Sequence, residues 1–329
     1  MLEHGGDLNV AVAQYGIPLA DWLDLSTGIN PVGYPVPPIP DALWQRLPLE
    51  VDGLIEAARQ YYGTPDVLPT AGSQAAIQIL PSLISGANVL LLTPMYAEHA
   101  CAWRRHGHHV SEITHLPNAT DLAEVDVMVV CNPNNPTGRM IPDQTLLSWH
   151  TQLAKKGGWL IVDEAFMDAT PENSLAKHTH LPGLILLRSL GKFFGLAGTR
   201  VGFVLAEQTL LNTLKERLGP WPISGPARYV AVKALKDAAW QASARKGLIA
   251  DSLRLHDLLA SYGLVPAGNT ALFQWVPSPR AQEIHTLFAK NGVWLRYFAT
   301  QSALRFGLPS AQGWEKLERV LAGLTQPKT

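Results

Sequence analysis

Short, mostly apolar runs alternate with segments of helical periodicity along the chain up to about residue 225. Five such runs, of four or five residues each and bounded by polar residues or glycine, predict buried strands at residues 89–92, 127–131, 159–162, 184–187 and 201–205. Segments with one apolar face predict helices at residues 54–62, 73–84, 99–106 and 143–155. Strands of this length alternating with helices predict an α/β fold, in which helices flank a mostly parallel central sheet on both faces.

The pattern changes after Gly225 and Pro226. Residues 227–260 predict one long helical stretch, rich in alanine and leucine, with a potential break near Gly247. Predicted strands at 272–276, 294–298 and 302–306 and predicted helices at 281–291 and 314–322 follow, as in an α+β domain. The proline-rich residues 31–48 predict an extended, irregular segment. The pattern therefore divides the chain into an N-terminal arm (1–30), a large domain (31–222) and a small C-terminal domain (223–329).

The composition excludes some classes of function. Charged residues make up 16% of the 329 residues, against about 25% in an average soluble domain, which suggests that part of the surface is buried between subunits. The 26 basic and 27 acidic residues give a net charge of −1, so no electrostatic attraction to nucleic acid or to an anionic membrane is expected. No signal peptide or membrane-spanning run is visible, and the two cysteines lack metal-ligand spacing. We expect a cytoplasmic enzyme without a metal.

Four polar segments stand where predicted strands end or predicted helices begin, at residues 70–73, 132–138, 163–164 and 188–192. The carboxyl ends of strands are where open α/β sheets bind their ligands. Gly72 permits a close approach of the backbone, and the amide of Ser73 at the helix start can face an anion. Lys192 is flanked by apolar residues, an environment that favours the neutral amine needed to attack a carbonyl group.

In this order and spacing, the four segments resemble those of the fold-type I pyridoxal-phosphate enzymes of the aminotransferase class I/II superfamily. The resemblance implies pyridoxal 5′-phosphate as the cofactor, with Lys192 as its covalent attachment site and Asp163 as the partner of its pyridine nitrogen, both catalytic. Asn135 is expected to donate to the phenolate oxygen, and Tyr96, also placed among the catalytic residues, to stack on the pyridine ring. Residues expected at the cofactor phosphate are Ala71, Gly72, Ser73, Ser189 and Arg200.

Two arginines near the C-terminus narrow the resemblance to the histidinol-phosphate aminotransferase-like members. Arg305 matches the family arginine that binds the substrate α-carboxylate, and Arg296 matches a second arginine used for a substrate phosphate. The N-terminal sequence His-Gly-Gly-Asp at residues 4–7 and Leu-Ser-Thr-Gly-Ile-Asn-Pro at 25–31 resemble the threonine-phosphate decarboxylases of cobalamin biosynthesis. The residues that the resemblance implies for substrate binding are His4, Gly5, Asn30, Asn135, Arg296 and Arg305.

The resemblance implies decarboxylation of L-threonine O-3-phosphate to (R)-1-aminopropan-2-yl phosphate by a homodimer. An alternative is an aminotransferase of the histidinol-phosphate type that acts on a phosphorylated or acidic amino acid. A non-catalytic protein on the same fold would be expected to lack Lys192 or Asp163, and both are present. A nucleotide-binding dehydrogenase is not favoured, because no G-x-G-x-x-G follows the first strand.

Three positions depart from the family pattern. Phe166 stands where the aminotransferases of this type usually carry a tyrosine, whose hydroxyl meets the phenolate oxygen of the cofactor, and this favours decarboxylation over transamination. Leu47 replaces the tyrosine of an Arg-Tyr-Pro motif that reaches the cofactor phosphate of the neighbouring subunit. Gly191 replaces the serine or threonine that usually precedes the lysine. Each change removes one expected hydroxyl contact to the cofactor.

Overall fold

The computed structural model describes residues 5–324 and contains thirteen strands and twelve α-helices in that range. The strands are β1 (Leu23–Asp24), β2 (Val67–Thr70), β3 (Asn88–Leu92), β4 (His109–Ile113), β5 (Val127–Cys131), β6 (Trp159–Asp163), β7 (Leu184–Ser189), β8 (Gly202–Leu205), β9 (Gly268–Thr270), β10 (Phe273–Pro277), β11 (Val293–Trp294), β12 (Arg296–Phe298) and β13 (Ala303–Gly307). The helices are α1 (Leu8–Tyr15), α2 (Ala42–Gln45), α3 (Leu54–Tyr62), α4 (Ser73–Ile79), α5 (Glu98–Arg105), α6 (Ala119–Leu122), α7 (Asp143–Ala154), α8 (Gln208–Leu218), α9 (Gly225–Lys236), α10 (Ala238–Ser261), α11 (Ala281–Lys290) and α12 (Gly313–Ala322).

The chain forms two compact units. The large unit consists of Gly33–Asn135 and Met140–Ala242, and the small unit consists of Met1–Val32, Pro136–Arg139 and Ser243–Thr329. The division falls within α10 and assigns the short segment Pro136–Arg139 to the small unit. The domain boundaries drawn from the sequence pattern, at residues 30/31 and 222/223, stay predictions.

A seven-stranded sheet forms the centre of the large unit, in the order β2-β8-β7-β6-β5-β3-β4. Strand β8 runs antiparallel to both of its neighbours, β2 and β7, and the remaining ladders of this sheet are parallel. The inner strands β5 to β8 are almost wholly buried, as expected for strands covered on both faces. On one face, strand residues such as Val129 and Ile185 pack with Ile77 of α4 and Trp103 of α5. The predicted α/β fold and its mostly parallel sheet are confirmed.

Two strands of this sheet were not predicted from the sequence, because their patterns are weak. Strand β2 contains Pro69, which cannot donate to a ladder, and it lies at one edge of the sheet. Strand β4 lies at the other edge, and its residues are exposed or half-buried. The absence of a buried face leaves no alternation of apolar and polar residues to detect.

The small unit contains a four-stranded antiparallel sheet in the order β12-β13-β10-β9 and a two-stranded parallel pair, β1 with β11. The predicted strand at 294–298 is wrong in one respect, since the chain changes partner at Leu295. Val293 and Trp294 pair with β1, whereas residues 296–298 pair with β13. A continuous apolar pattern does not reveal such a change of sheet.

The predicted helical stretch at 227–260 breaks at Asp237 and continues through Gly247, contrary to the expected break. The Asp237 Oδ1 accepts a hydrogen bond at 2.9 Å from the Trp240 amide, so the aspartate starts α10 as a cap. Residues 31–48 are mostly irregular, as predicted, apart from the short helix α2. Within residues 5–324, no helix has both the length and the apolar character needed to cross a bilayer.

Candidate active site

The polar segments that follow the strands of the large unit lie side by side at the carboxyl-terminal ends of its parallel strands, which we call the sheet edge of the site. Strands β5, β6 and β7 run parallel, and their ladders pair Cys131 with Asp163 and Asp163 with Leu187. Strand β8 runs the opposite way and begins at this edge, with Gly202 opposite Ser189. The loops that leave the carboxyl ends of the parallel strands therefore start side by side, as do the residues that precede β8.

Asp163 is the last residue of β6, and it is buried, with 6% of its surface exposed. Its Oδ2 lies 2.9 Å from Nε2 of the buried His99, and its Oδ1 accepts a hydrogen bond at 3.0 Å from the Ala165 amide. His99 lies in the first turn of α5. These contacts fix the orientation of the carboxylate at the sheet edge.

The segment at residues 71–73 forms a cradle with Arg200 that leaves no room for larger residues. Gly72 has φ +73°, a conformation that favours glycine, and a Cβ there would stand 2.9 Å from Nη2 of Arg200. A Cβ on Gly202 would stand 2.4 Å from the amide nitrogen of Ser73. Arg200 is exposed, and its guanidinium lies against the start of α4. Ser189 is half-buried, and its Oγ accepts a hydrogen bond at 3.2 Å from the Gly191 amide.

Lys192 follows β7 by three residues and is half-buried among aromatic side chains. Its Nζ lies 5.4 Å from the centroid of the Phe166 ring, within the range of a cation–π contact. Phe193 and Phe194, which follow Lys192 directly in a turn, are fully buried. Lys192 is therefore held by an apolar frame, in agreement with the apolar flanks of its sequence.

Tyr96 lies near Asp163, on the loop that follows β3. The Tyr96 hydroxyl donates to Oε1 of Gln74 at 3.2 Å, and its ring meets that of His99 edge to face at 6.3 Å. Burial, with the charges of Glu98 and Asp163, raises the pKa of Tyr96 to about 12, so that its hydroxyl stays protonated at physiological pH.

The thiol of Cys131 lies among the same residues. Burial, together with the Asp163 carboxylate, raises its pKa well above the ordinary value, and backbone groups of Tyr96 and Asn135 hydrogen-bond to it. His99, Cys131 and Asp163 are all buried, and their potential ligand atoms lie within 4.8 Å of one another. Zn²⁺ accepts such ligands, so the expectation that the protein uses no metal stays a prediction.

The asparagines of the loop that follows β5 have separate roles. Asn132 closes the loop by exchanging hydrogen bonds with the backbone of Ile141, at 3.1 and 2.8 Å. Asn134 donates to the Pro94 carbonyl at 3.1 Å. These two side chains shape the loop, and the backbone of Asn135, the next residue, hydrogen-bonds to the Cys131 thiol.

The small unit holds two arginines directly opposite each other on adjacent strands, Arg296 of β12 and Arg305 of β13. Arg305 is buried, stands over the Phe273 ring at 5.1 Å, and donates to the Ser26 carbonyl. Burial, reinforced by the charge of Arg296 and partly offset by Asp24, lowers the pKa of Arg305 to about 10. Two like charges opposite each other on a sheet are unfavourable. An anion bound beside them would relieve that repulsion.

The other substrate-binding residues predicted from the sequence lie near the N-terminus. Asn30 is buried, and its Oδ1 accepts a hydrogen bond at 2.9 Å from the Val32 amide. Gly5 packs so closely on Ser26 that a Cβ would stand 2.4 Å from the Ser26 carbonyl oxygen. His4 lies outside the described residues.

The structure gathers most of the predicted residues into three groups, two in the large unit and one in the small unit. In the large unit, the first group is formed by Asp163, Tyr96 and Asn135, which lie around Cys131. The second group is formed by residues 72–73, Ser189 and Arg200, which meet at the start of β8. In the small unit, Gly5 and Arg305 meet at Ser26, and Arg305 faces Arg296. Sequence reasoning missed His99 and Ser26. A histidine on the buried face of a predicted helix was the available signal for His99. Ser26 lies within the motif at residues 25–31, but nothing there distinguishes it from its neighbours.

Comparisons with known proteins agree with this architecture. The family model of class I and II aminotransferases matches residues 47–324. The chain is 52% identical over 328 residues to a threonine-phosphate decarboxylase of Pseudomonas aeruginosa, covering 99% of both chains. It is 40% identical to a threonine-phosphate decarboxylase of a Sinorhizobium species, covering 98% of both.

Among solved structures, the fold matches histidinol-phosphate aminotransferase from Sinorhizobium meliloti in complex with pyridoxal-5′-phosphate. The TM-score is 0.82, the identity is 20%, and the match covers 98% of this chain and 96% of the other. At this identity the likeness shows the fold.

Proposed function

This chain belongs to the family of class I and II aminotransferases, and on that premise we propose that it decarboxylates L-threonine O-3-phosphate with pyridoxal 5′-phosphate as cofactor. The observation that carries the proposal is the 52% identity to a threonine-phosphate decarboxylase along 99% of both chains. The product would be (R)-1-aminopropan-2-yl phosphate, which we place in cobalamin biosynthesis. The alternative, an aminotransferase of the histidinol-phosphate type, has support from shorter or more distant matches.

The residues of the large unit fit the cofactor. The cradle of Gly72, Ser73 and Arg200 offers backbone amides and a guanidinium to an anion, and a Cβ at Gly72 would close it. The buried Asp163 offers a fixed negative charge, which suits a protonated ring nitrogen. Lys192 would hold the cofactor covalently, Asn135 would donate to its phenolate oxygen, and Tyr96 would cover its ring. Ala71, Gly72, Ser73, Ser189 and Arg200 would hold its phosphate.

When bound, pyridoxal phosphate supplies an electron-accepting ring for the pair released as a bond to the substrate α-carbon breaks. The protein must then choose which bond breaks. We assign the α-carboxylate to Arg305 and the substrate phosphate to Arg296 and His4, with Gly5, Asn30 and Asn135 completing the substrate site. Anchors at two separate groups leave one orientation for the substrate, in which the bond to the carboxylate breaks.

Lys192 is the proton donor of the reaction. The substrate carboxylate leaves as carbon dioxide, and the proton that takes its place at the α-carbon comes from the Lys192 ammonium group. Arg305 holds the carboxylate until it leaves, and Arg296 retains the product through its phosphate. Phe166 beside Lys192 brings no hydroxyl group that could compete for this proton.

The proposal also includes a homodimer and a cytoplasmic location. The low proportion of charged residues and a run of exposed apolar side chains in the large unit support the dimer. The two cysteines, Cys101 and Cys131, are free, which suits a reducing compartment.

Turnover of threonine phosphate by the cofactor-loaded protein tests the function. We expect carbon dioxide release without any added 2-oxo acid, and far slower release from threonine even at saturation, because phosphate binding energy orients the substrate. Arg296→Ala should raise KM and lower kcat for threonine phosphate. Equal maximal rates for the two substrates, or a requirement for a 2-oxo acid, would contradict the proposal.

A further inference from the structure

Ser26 is a buried residue that connects three parts of the small unit. It has no exposed surface. Its amide and its hydroxyl both donate to Oδ1 of Asp24, at 2.8 and 2.6 Å. The same hydroxyl oxygen accepts a hydrogen bond at 2.8 Å from the Gly6 amide, and the Ser26 carbonyl accepts one from Arg305. One residue thus contacts the N-terminal segment, an acidic side chain and the arginine assigned to the carboxylate.

The direction of each hydrogen bond is defined by chemistry. The carboxylate of Asp24 can only accept, so the Ser26 hydroxyl gives its proton to Asp24. A lone pair of the hydroxyl oxygen is then directed to the Gly6 amide, which can only donate. An alanine at position 26 would leave the Gly6 amide without this partner, while the carbonyl that receives Arg305 would remain.

The residue before Ser26 is hydrogen-bonded to two strands, β11 and β13. The Leu25 amide donates to the Trp294 carbonyl at 2.8 Å, and the Leu25 carbonyl accepts from the Gly307 amide at 2.7 Å. Ser26 is therefore held next to β13, on which Arg305 lies. The absence of a Cβ at Gly5 lets the N-terminal segment reach this point, since a Cβ would stand 2.4 Å from the Ser26 carbonyl oxygen.

We propose that Ser26 is a positioning residue for substrate specificity, which holds the N-terminal residues Gly5 and Gly6 in fixed relation to Arg305. The inference rests on the proposed function, because it concerns the site that we assign to the substrate phosphate and carboxylate. The tether at Gly6 fixes Gly5, which we assign to the substrate site, relative to Arg305, which we assign to the substrate carboxylate. Ser26 thereby sets the spacing between the N-terminal part of the substrate site and the arginine assigned to the carboxylate.

Two variants test the positioning role, with a matched glycine control. Ser26→Ala releases the N-terminal tether and should raise KM for threonine phosphate about tenfold, the effect of one lost hydrogen bond, while KM for threonine changes little. Gly5→Ala should also raise KM for threonine phosphate, because the added Cβ collides with the Ser26 carbonyl. Gly247→Ala places its Cβ in open space on α10 and should leave both constants unchanged.

Hydrogen–deuterium exchange of the peptide covering residues 5–15 provides a readout that does not depend on turnover. Ser26→Ala should speed exchange in this peptide without substrate, and should raise about tenfold the threonine phosphate concentration that gives half-maximal protection. The absorption spectrum and affinity of the bound cofactor should stay the same, because the assigned cofactor residues belong to the large unit.

The outcomes separate the inference from the proposed function. Unchanged exchange in Ser26→Ala, or faster exchange with an unchanged KM for threonine phosphate, would overturn the positioning role. If threonine phosphate protects the wild-type peptide but releases no carbon dioxide, the proposed function fails, and the shift in half-maximal protection still decides the role of Ser26. If threonine phosphate gives neither protection nor turnover, both are overturned.

Discussion

At the scale of single residues, the central assignment is Lys192. It follows a buried strand by three residues, and its amine lies against the Phe166 ring in an apolar frame. Its sequence neighbours predicted this environment, because Leu190, Phe193 and Phe194 flank it on both sides. The burial of all three in the structure confirms that part of the prediction.

Borohydride reduction of the cofactor-loaded protein, followed by peptide mapping, should place the pyridoxyl group on Lys192. Lys192→Ala should lower turnover by about 10³-fold or more, since both the attachment point and the proton donor are lost, and should leave the circular dichroism spectrum intact. Lys215→Ala, at an exposed position of α8, is the control and should keep full activity. A label on another lysine would end this assignment.

At the scale of secondary-structure elements, a buried group of charges joins the turn after β6 to β7. Arg188 of β7 has 1% of its surface exposed and bonds to Glu164 at 2.6 Å and to Asp168, both of which are fully buried. Glu164 also accepts from the Ser174 hydroxyl and the Leu175 amide. The two carboxylates raise the pKa of Arg188 above its usual value, against the effect of burial, so it stays charged. The ion pair thus joins Glu164, the residue after Asp163, to β7, the strand that precedes Lys192.

Arg188→Met should lower the free energy of unfolding by about 3–5 kcal/mol at neutral pH, because two buried carboxylates lose their counter-charge. Arg104→Met removes an equally short ion pair, Arg104 with Glu112, but both side chains are about half exposed. It should cost less than about 1 kcal/mol. Urea unfolding of the two variants measures the difference, and similar losses in both would contradict the buried-pair account.

The elements also show where the sequence could and could not predict the structure. Asp163 was predictable because it is the first polar residue after a short apolar run, and the strand ends there. The helix boundary at Asp237 was missed because one aspartate cap within an alanine-rich stretch leaves the apolar periodicity unchanged. The linking role of Ser26 could not be predicted, although Ser26 lies in the 25–31 motif and bonds to nearby Asp24, since its other partners lie 20 residues away at Gly6 and 279 away at Arg305. Local pattern predicts elements, and only the fold brings such distant residues together.

At the scale of the whole molecule, a run of exposed apolar side chains in the large unit is where we expect a second copy to bind in the proposed homodimer. Trp44, Leu47, Leu49 and Val51 are between 64% and 92% exposed, within eight residues of chain. Contiguous apolar exposure of this kind marks interaction surfaces. The proline-rich sequence around it predicted irregular chain but did not indicate the exposure.

The double variant Trp44→Glu with Val51→Glu should convert a dimer to a monomer at micromolar concentration in sedimentation velocity, since two charges would be buried without partners. The rate of decarboxylation should fall as the fraction of dimer falls. Val265→Glu changes a valine of the small unit that is 64% exposed, close to the 66% of Trp44, and should leave the dimer unchanged. A wild-type protein that sediments as a fully active monomer would refute the proposed assembly.

The most direct test of the proposed reaction is turnover of threonine phosphate in D₂O, with the product analysed by NMR. Decarboxylation with reprotonation by Lys192, whose ammonium protons exchange with solvent, predicts one equivalent of carbon dioxide per aminopropanol phosphate and one deuterium at the former α-carbon. No 2-oxo acid should be needed or formed. Retention of the carboxylate in the product, or accumulation of pyridoxamine phosphate as the main outcome, would contradict the account.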